Sequence, residues 1–422
     1  MRIESVRARQ LIDCKCRPMV EVEVETEGGF VGRGAAPTGQ SVGMYEAFVL
    51  RDDDPDTYSG LSVHRAVENV RQVIAPALIG MPVDDQRALD DLMIALDGTE
   101  NKSNLGGNAI YSTSIACFRA AAAVAGVPPY QYLGGDDIAT VPVPSFNMVN
   151  GGRYGDMVQP FNEFIVMPYK AESIFAAVEM GVRVFEVMAD VLERYVGSPP
   201  EVARSYGYVA PSEDPEVVLS LMQEAIDRCG YAGKMAFALD CASSEMYDAA
   251  TATYYLKGER VSSDDLISYA KDLTEKFDFV FIEDLLEEND WDGHARAVRE
   301  IPRTIILGDD LIVTNLARLQ RASAMRAVDG FLLKPNQVGT ISEALETYEY
   351  AVGHDLIAVP SGRSGGVIDD VVMDLSVGLQ VPFQKNGAPR SGERIEKLNF
   401  LMRAADTIPD CRLADVVSIV KF

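Results

Sequence analysis

The sequence predicts an α/β fold, a TIM-type (β/α) barrel preceded by a smaller α+β unit, and three observations carry the prediction. From about residue 139 onward, short apolar runs alternate with amphipathic helical stretches, the pattern of parallel strands joined by crossover helices. Four of those runs end in residues able to carry chemistry. Residues 3–36, by contrast, read as an antiparallel sheet.

In that opening sheet VEVEVETE alternates with period two, Gly28-Gly29 supplies a turn, and FVGRGAA returns. Helical signatures follow at about 62–79, 84–96 and 106–126, the last Ala-rich and ended by Gly126 and Pro128. In the second part KMAFALD ends at Asp240, FDFVFIED at Glu283 and Asp284, TIILGDD at Asp309 and Asp310, and GFLLK at Lys334. The step from Glu283 to Asp309 is 26 residues and that from Asp309 to Lys334 is 25, one strand–helix unit each. Consecutive strand ends of a barrel open on one mouth, so these residues are expected around a common pocket at its C-terminal face.

Composition bounds the function. The 422 residues are 47% hydrophobic and 24% charged, with 34 Gly and 21 Pro, as in ordinary globular proteins. A formal net charge of −26 repels phosphate backbones and anionic lipid, so neither a nucleic acid nor a membrane is an expected partner. Six cysteines (Cys14, Cys16, Cys117, Cys229, Cys241 and Cys411) show no C-x-x-C spacing and are expected to be reduced. The first residues lack an apolar targeting core, and the most apolar later stretch, 109–127, is broken by Arg119. A cytoplasmic protein is expected.

Three carboxylates on neighbouring strand ends, Asp240, Glu283 and Asp309, make a hard oxygen site suited to Mg²⁺, which shares its coordination with anionic substrates. Strand-end acids also commonly cap the helix that follows. Lys334 beside such a metal would have a lowered pKa and serve as general base; its bland role is an ion pair with one of the acids.

The blocks VEVEVETEGG, PTGQSVGMYEA, LRDDD, LDGTENKSNLGGNAI, NGGRYGD, NEFIVMP, ALDCASSEMY, FIEDLLEENDW, LGDDLIVTN, LLKPNQVGT and KNGAPRSGERIEKLN together resemble the enolase (phosphopyruvate hydratase) family nearly end to end. The resemblance implies an N-terminal α+β capping domain, residues 1–138, over a modified barrel, residues 139–422, whose second strand pair runs antiparallel. By position, Asp240, Glu283 and Asp309 resemble the high-affinity Mg²⁺ ligands and Lys334 the base. Lys385 resembles the lysine holding the substrate carboxylate, and Arg363 and Ser364 the phosphate clamp. Ser41 matches the loop serine that binds a second Mg²⁺, and Glu163 a glutamate near the leaving group. A homodimer or higher homo-oligomer is implied as well.

Departures from the pattern lie around the leaving group and the phosphate. Family members carry G-D-E-G-G-F-A-P, whose glutamate is a catalytic acid; here Tyr206 stands at its place in Arg204-Ser205-Tyr206-Gly207-Tyr208-Val209-Ala210-Pro211. The pocket histidines of N-G-G-x-H-A and S-H-R-S-G-E-T are replaced by Tyr154 and Gly362. None of His64, His294 and His354 falls in a matching motif. Gly362 is expected to leave a gap beside Arg363 and Ser364, with Tyr154 and Tyr206 offering hydroxyls on the opposite wall.

Three readings follow. The first is a divergent enzyme acting on a phosphorylated or phosphonylated carboxylate, resembling the family members that handle carboxyphosphonoenolpyruvate. The second is a working phosphopyruvate hydratase in which Tyr206 or a water replaces the acid. The third is a non-catalytic binding protein. The first is preferred on sequence, because the retained residues bind metal and stabilise an enolate while the lost ones serve hydroxide departure.

Overall fold

The computed structural model describes residues 1–39 and 43–422. Its opening sheet is the expected antiparallel meander: strand Ile3–Ile12 pairs with Pro18–Thr26, which pairs with Val31–Ala35. Val20, Val22 and Val24 point to the core and are fully buried. Helix Gly107–Ala125 lies against the sheet. A Cβ on Gly32 would come within 2.1 Å of the Ala116 carbonyl oxygen, and one on Gly34 within 2.1 Å of that of Ser112. Glycine at both places therefore sets how closely the helix approaches. The helix ends where Gly126 turns to φ 73°.

The helix expected over 62–79 is a composite. His64–Asn69 and Ala75–Leu78 are α-helical, and Val70–Ile74 between them is a π-type turn. Pro76 lies just beyond that turn and has no N–H to donate back along the helix.

The second part closes into a barrel of eight described strands. Val143–Tyr154 and Met157–Met167 form a hairpin, and Met157–Met167 is antiparallel also to its other neighbour, Ala236–Asp240. Phe279–Glu283, Ile305–Gly308, Gly330–Leu333 and Ile357–Pro360 continue in parallel. Phe383–Lys385 pairs in parallel with Val143–Ser145, and a bridge from Ser361 to Lys385 closes the ring.

Strand periodicity puts the chemistry at one end of this barrel. Ile165, Ala238, Phe281, Leu307, Leu332 and Phe383 belong to one buried apolar cluster. Two residues further toward the mouth on the same strands stand Glu163, Asp240, Glu283, Asp309, Lys334 and Lys385. Because side chains alternate between faces, the second set points the same way as the first, one layer higher. Among the described residues no single helix is long and apolar enough to cross a membrane, and all six cysteines are free.

Candidate active site

A cavity of about 620 Å³ opens at this end of the barrel. Glu163, Asp240, Asp309, Lys334 and Lys385 line it, as do Arg363, Ser364, Gly362 and Tyr154. Register explains the arrangement: Glu163 is the direct cross-strand partner of Asp240, and Asp240 that of Glu283. Three carboxylates thus stand side by side on adjacent strands, with Glu283 fully buried beneath the cavity wall.

Each is held by a cation. The Lys385 ammonium lies 2.8 Å from Asp240 Oδ2, 2.5 Å from Glu283 Oε2 and 3.6 Å from Glu163 Oε2. Lys334 is paired with Asp309 Oδ2, and Gln337 donates to Asp309 Oδ1 at 2.8 Å. Asn162 donates to Asp240 Oδ2 at 3.2 Å and Asn147 to Glu163 Oε1 at 3.2 Å.

The charges around Lys334 act on it in opposite directions. Burial alone would push the Lys334 ammonium down, but Asp309 and Glu283 outweigh it and hold the pKa above the ordinary lysine value. The protein's own carboxylates thus favour the charged ammonium, and the lowering expected beside a bound metal would have to come from the charge of that ion. Burial drives the Glu283 carboxyl well up, with the Asp240 charge adding to it.

Asp309 is turned to Lys334 and Gln337, and among the described residues the acids whose oxygens lie within 4.8 Å of one another are Asp284, Asp309 and Asp310. Asp284, however, accepts the main-chain N–H groups of Asp309 at 2.8 Å and Asp310 at 2.7 Å, so it brackets the turn after its neighbouring strand. The donor set of Asp240, Glu283 and Asp309 fits a hard divalent cation better. Glu283 Oε1 is buried with no hydrogen-bond partner among the described residues, which leaves it free to serve as a ligand oxygen.

The remaining expectations meet mixed outcomes. Tyr154 lines the cavity, but its hydroxyl lies 3.1 Å from the Asn150 carbonyl and 3.0 Å from that of Gly151. The Tyr206 hydroxyl donates to the Cys14 carbonyl at 3.0 Å, and the Arg394 guanidinium lies over its ring at 5.0 Å. Tyr206 is not among the residues lining the cavity, though the preceding Arg204 and Ser205 are. Gly362 leaves no gap: a Cβ there would stand 2.3 Å from Lys397 Nζ. Ser41 lies outside the described residues.

Arg363 is engaged in a bidentate pair with Glu46, while the Ser364 hydroxyl is buried with no hydrogen-bond partner among the described residues. Glu46, Gln337, Glu393 and Lys397 were missed from sequence. For the last two a signal existed, since a glutamate four residues before a lysine on one helix forms an i,i+4 pair.

Comparison with known proteins agrees with this architecture. The family model for the enolase N-terminal domain matches residues 3–133, and that for the enolase C-terminal TIM barrel domain matches residues 138–414. An enolase of Methanopyrus kandleri is 43% identical over 411 residues, covering 96% of this chain and 96% of its own. An enolase of Methanocaldococcus jannaschii is 41% identical over 402 residues, covering 95% and 94%, and one of Methanococcus maripaludis is 40% identical over 407, covering 96% and 95%. With both family domains in order and this identity over nearly its whole length, the chain belongs to the enolase family and is an enolase-family carbon–oxygen lyase.

Proposed function

We propose that the chain is a Mg²⁺-dependent phosphopyruvate hydratase, converting 2-phosphoglycerate to phosphoenolpyruvate. The supporting observation is that Lys334 and Lys385 line one cavity with Asp240 and Asp309, over the buried Glu283. Relatives named enolase at 40–43% identity favour this substrate over others. Asp240, Glu283 and Asp309 would hold Mg²⁺, which when bound supplies positive charge beside the substrate carboxylate as the enolate develops.

The chain's own groups do the rest. Lys334 Nζ, once deprotonated, takes the proton next to the carboxylate. Lys385 meets the charge that develops on the carboxylate oxygens, and the Ser364 hydroxyl donates to a phosphate oxygen. Glu163, oriented by Asn147, is the carboxyl on the leaving-group side. With Tyr206 turned to the Cys14 carbonyl, the proton for the departing hydroxyl comes through Glu163 or a water.

A second reading is favoured by one specific observation. The positions of the family's acid and histidine are occupied by a tyrosine facing away and by a lysine ammonium. On that reading the enolate chemistry is retained for a carboxylate carrying a larger phosphonyl group, as in carboxyphosphonoenolpyruvate synthesis. Turnover and isotope exchange separate the two. Phosphoenolpyruvate formed from 2-phosphoglycerate with Mg²⁺ at an ordinary enzyme rate, roughly 1–10³ per second, supports the first. Exchange of the proton next to the carboxylate without product moves the assignment to the second. Neither, with 2-phosphoglycerate bound, overturns both.

A further inference from the structure

The loop Ser361–Gly366 has three positions without side chains, and the helix Gly392–Thr407 fills the space at two of them, Gly362 and Gly366. A Cβ on Gly362 would stand 2.3 Å from Lys397 Nζ, and one on Gly366 would stand 2.7 Å from Glu393 Oε2. These two side chains, one helical turn apart, are a pair: Lys397 Nζ lies 3.1 Å from Glu393 Oε2 and 3.7 Å from Asp370 Oδ2. All three residues are nearly fully buried.

Such a pair could simply tie the helix to the loop. Two observations point beyond that. Lys397 lines the same cavity as Arg363 and Ser364, although it stands on a helix outside the barrel strands. Its ammonium has three donors, and among the described residues one hydrogen bond uses them, that to Glu393. The Ser364 hydroxyl, in the same cavity lining, is buried with no hydrogen-bond partner among the described residues. Unused donors buried at a cavity wall are costly unless a ligand accepts them.

We propose that Lys397 is a specificity-determining residue that donates to an anionic oxygen on the phosphorus group of the substrate, together with Ser364. The inference rests on the reading that the cavity takes a carboxylate bearing a phosphorus group, and it holds for a phosphate ester and a phosphonate alike. Unlike an imidazole at Gly362, an ammonium offers three donors from one point and no acceptor, which favours a densely charged oxyanion.

Calorimetric titration of the full chain with Mg²⁺ present tests this, using inorganic phosphate, phosphonoacetate and, as a probe without phosphorus, malonate. Lys397→Met is expected to weaken phosphate and phosphonoacetate by roughly tenfold to hundredfold, the effect of losing a hydrogen bond to a charged group. Malonate should be held as by the parent, and Lys397→Arg should keep most of the phosphorus affinity. Loss for phosphate alone would assign the subsite to phosphate esters, and loss for phosphonoacetate alone to phosphonates. Unchanged affinity for both, or equal weakening of malonate, would overturn the role of Lys397 and leave the proposed function standing. A parent that binds malonate but neither phosphorus probe would overturn the reading on which the inference rests. If Lys397→Met does not fold, Lys397→Met with Glu393→Gln removes both charges of the pair together, and the same outcomes apply.

Discussion

Glu46 and Arg363, 317 residues apart in the chain, form a bidentate ion pair, with Arg363 Nη1 2.7 Å from Glu46 Oε2 and Nη2 3.0 Å from Oε1. Both side chains are buried, Glu46 at 2% and Arg363 at 6% exposure. The pair joins the N-terminal segment to the barrel mouth, where Arg363 lines the cavity. Removing one partner of a buried pair leaves the other charge short of compensation. Glu46→Ala is expected to destabilise the fold by on the order of 3 kcal/mol. Urea denaturation checks this, and an unchanged midpoint would count against it.

Metal binding should depend on Asp240 and Glu283. Asp240→Asn and Glu283→Gln are each expected to lower Mg²⁺ affinity by more than about tenfold, since each removes an anionic oxygen from a hard-cation site. Mg²⁺ should raise the melting temperature of the parent, because it binds the folded state, and should raise that of either variant less. Equal affinities in a calorimetric titration would remove the site from these strands.

Restoring an imidazole at position 362 should disturb Lys397 rather than fill a space. Its Cβ alone would sit 2.3 Å from the Lys397 Nζ, so Gly362→His forces that ammonium to move. Weaker phosphate binding with unchanged Mg²⁺ affinity is the expected result, because the metal ligands stand on other strands. A variant that binds phosphate as the parent does would show that the lysine is dispensable there.

Tyr206 should matter little to turnover. Tyr206→Phe removes a hydrogen bond to the Cys14 carbonyl and is expected to cost about 1 kcal/mol of stability while leaving the rate within twofold. A large fall in rate with the fold intact would return the hydroxyl to the reaction.

His294 gives stability a pH dependence of known sign. It is fully buried, and burial lowers its pKa from the ordinary 6.5 to about 4, with Asp290 opposing. Between these values the unfolded chain binds a proton that the folded chain refuses, so stability is greatest above pH 6.5 and falls as the pH drops toward 4. The full effect is on the order of 3 kcal/mol. His294→Gln should flatten the unfolding free energy across that window, and an unchanged slope would assign the acid sensitivity elsewhere.

Residues whose places follow from local periodicity were legible before folding was considered. Asp240, Glu283, Asp309 and Lys334 end apolar runs of strand length, and a parallel sheet joined by helices carries such ends to one mouth. Tertiary structure alone decided what each side chain touches there. Pairing of Glu46 with Arg363, seating of Lys397 against Gly362, and the turning of Tyr206 to the Cys14 carbonyl join segments from opposite ends of the chain or separate elements of the fold. Strand ends are set by a pattern of period two that neighbouring residues carry. Contacts across long separations are set by close packing, which one side chain more or less at Gly362 would change.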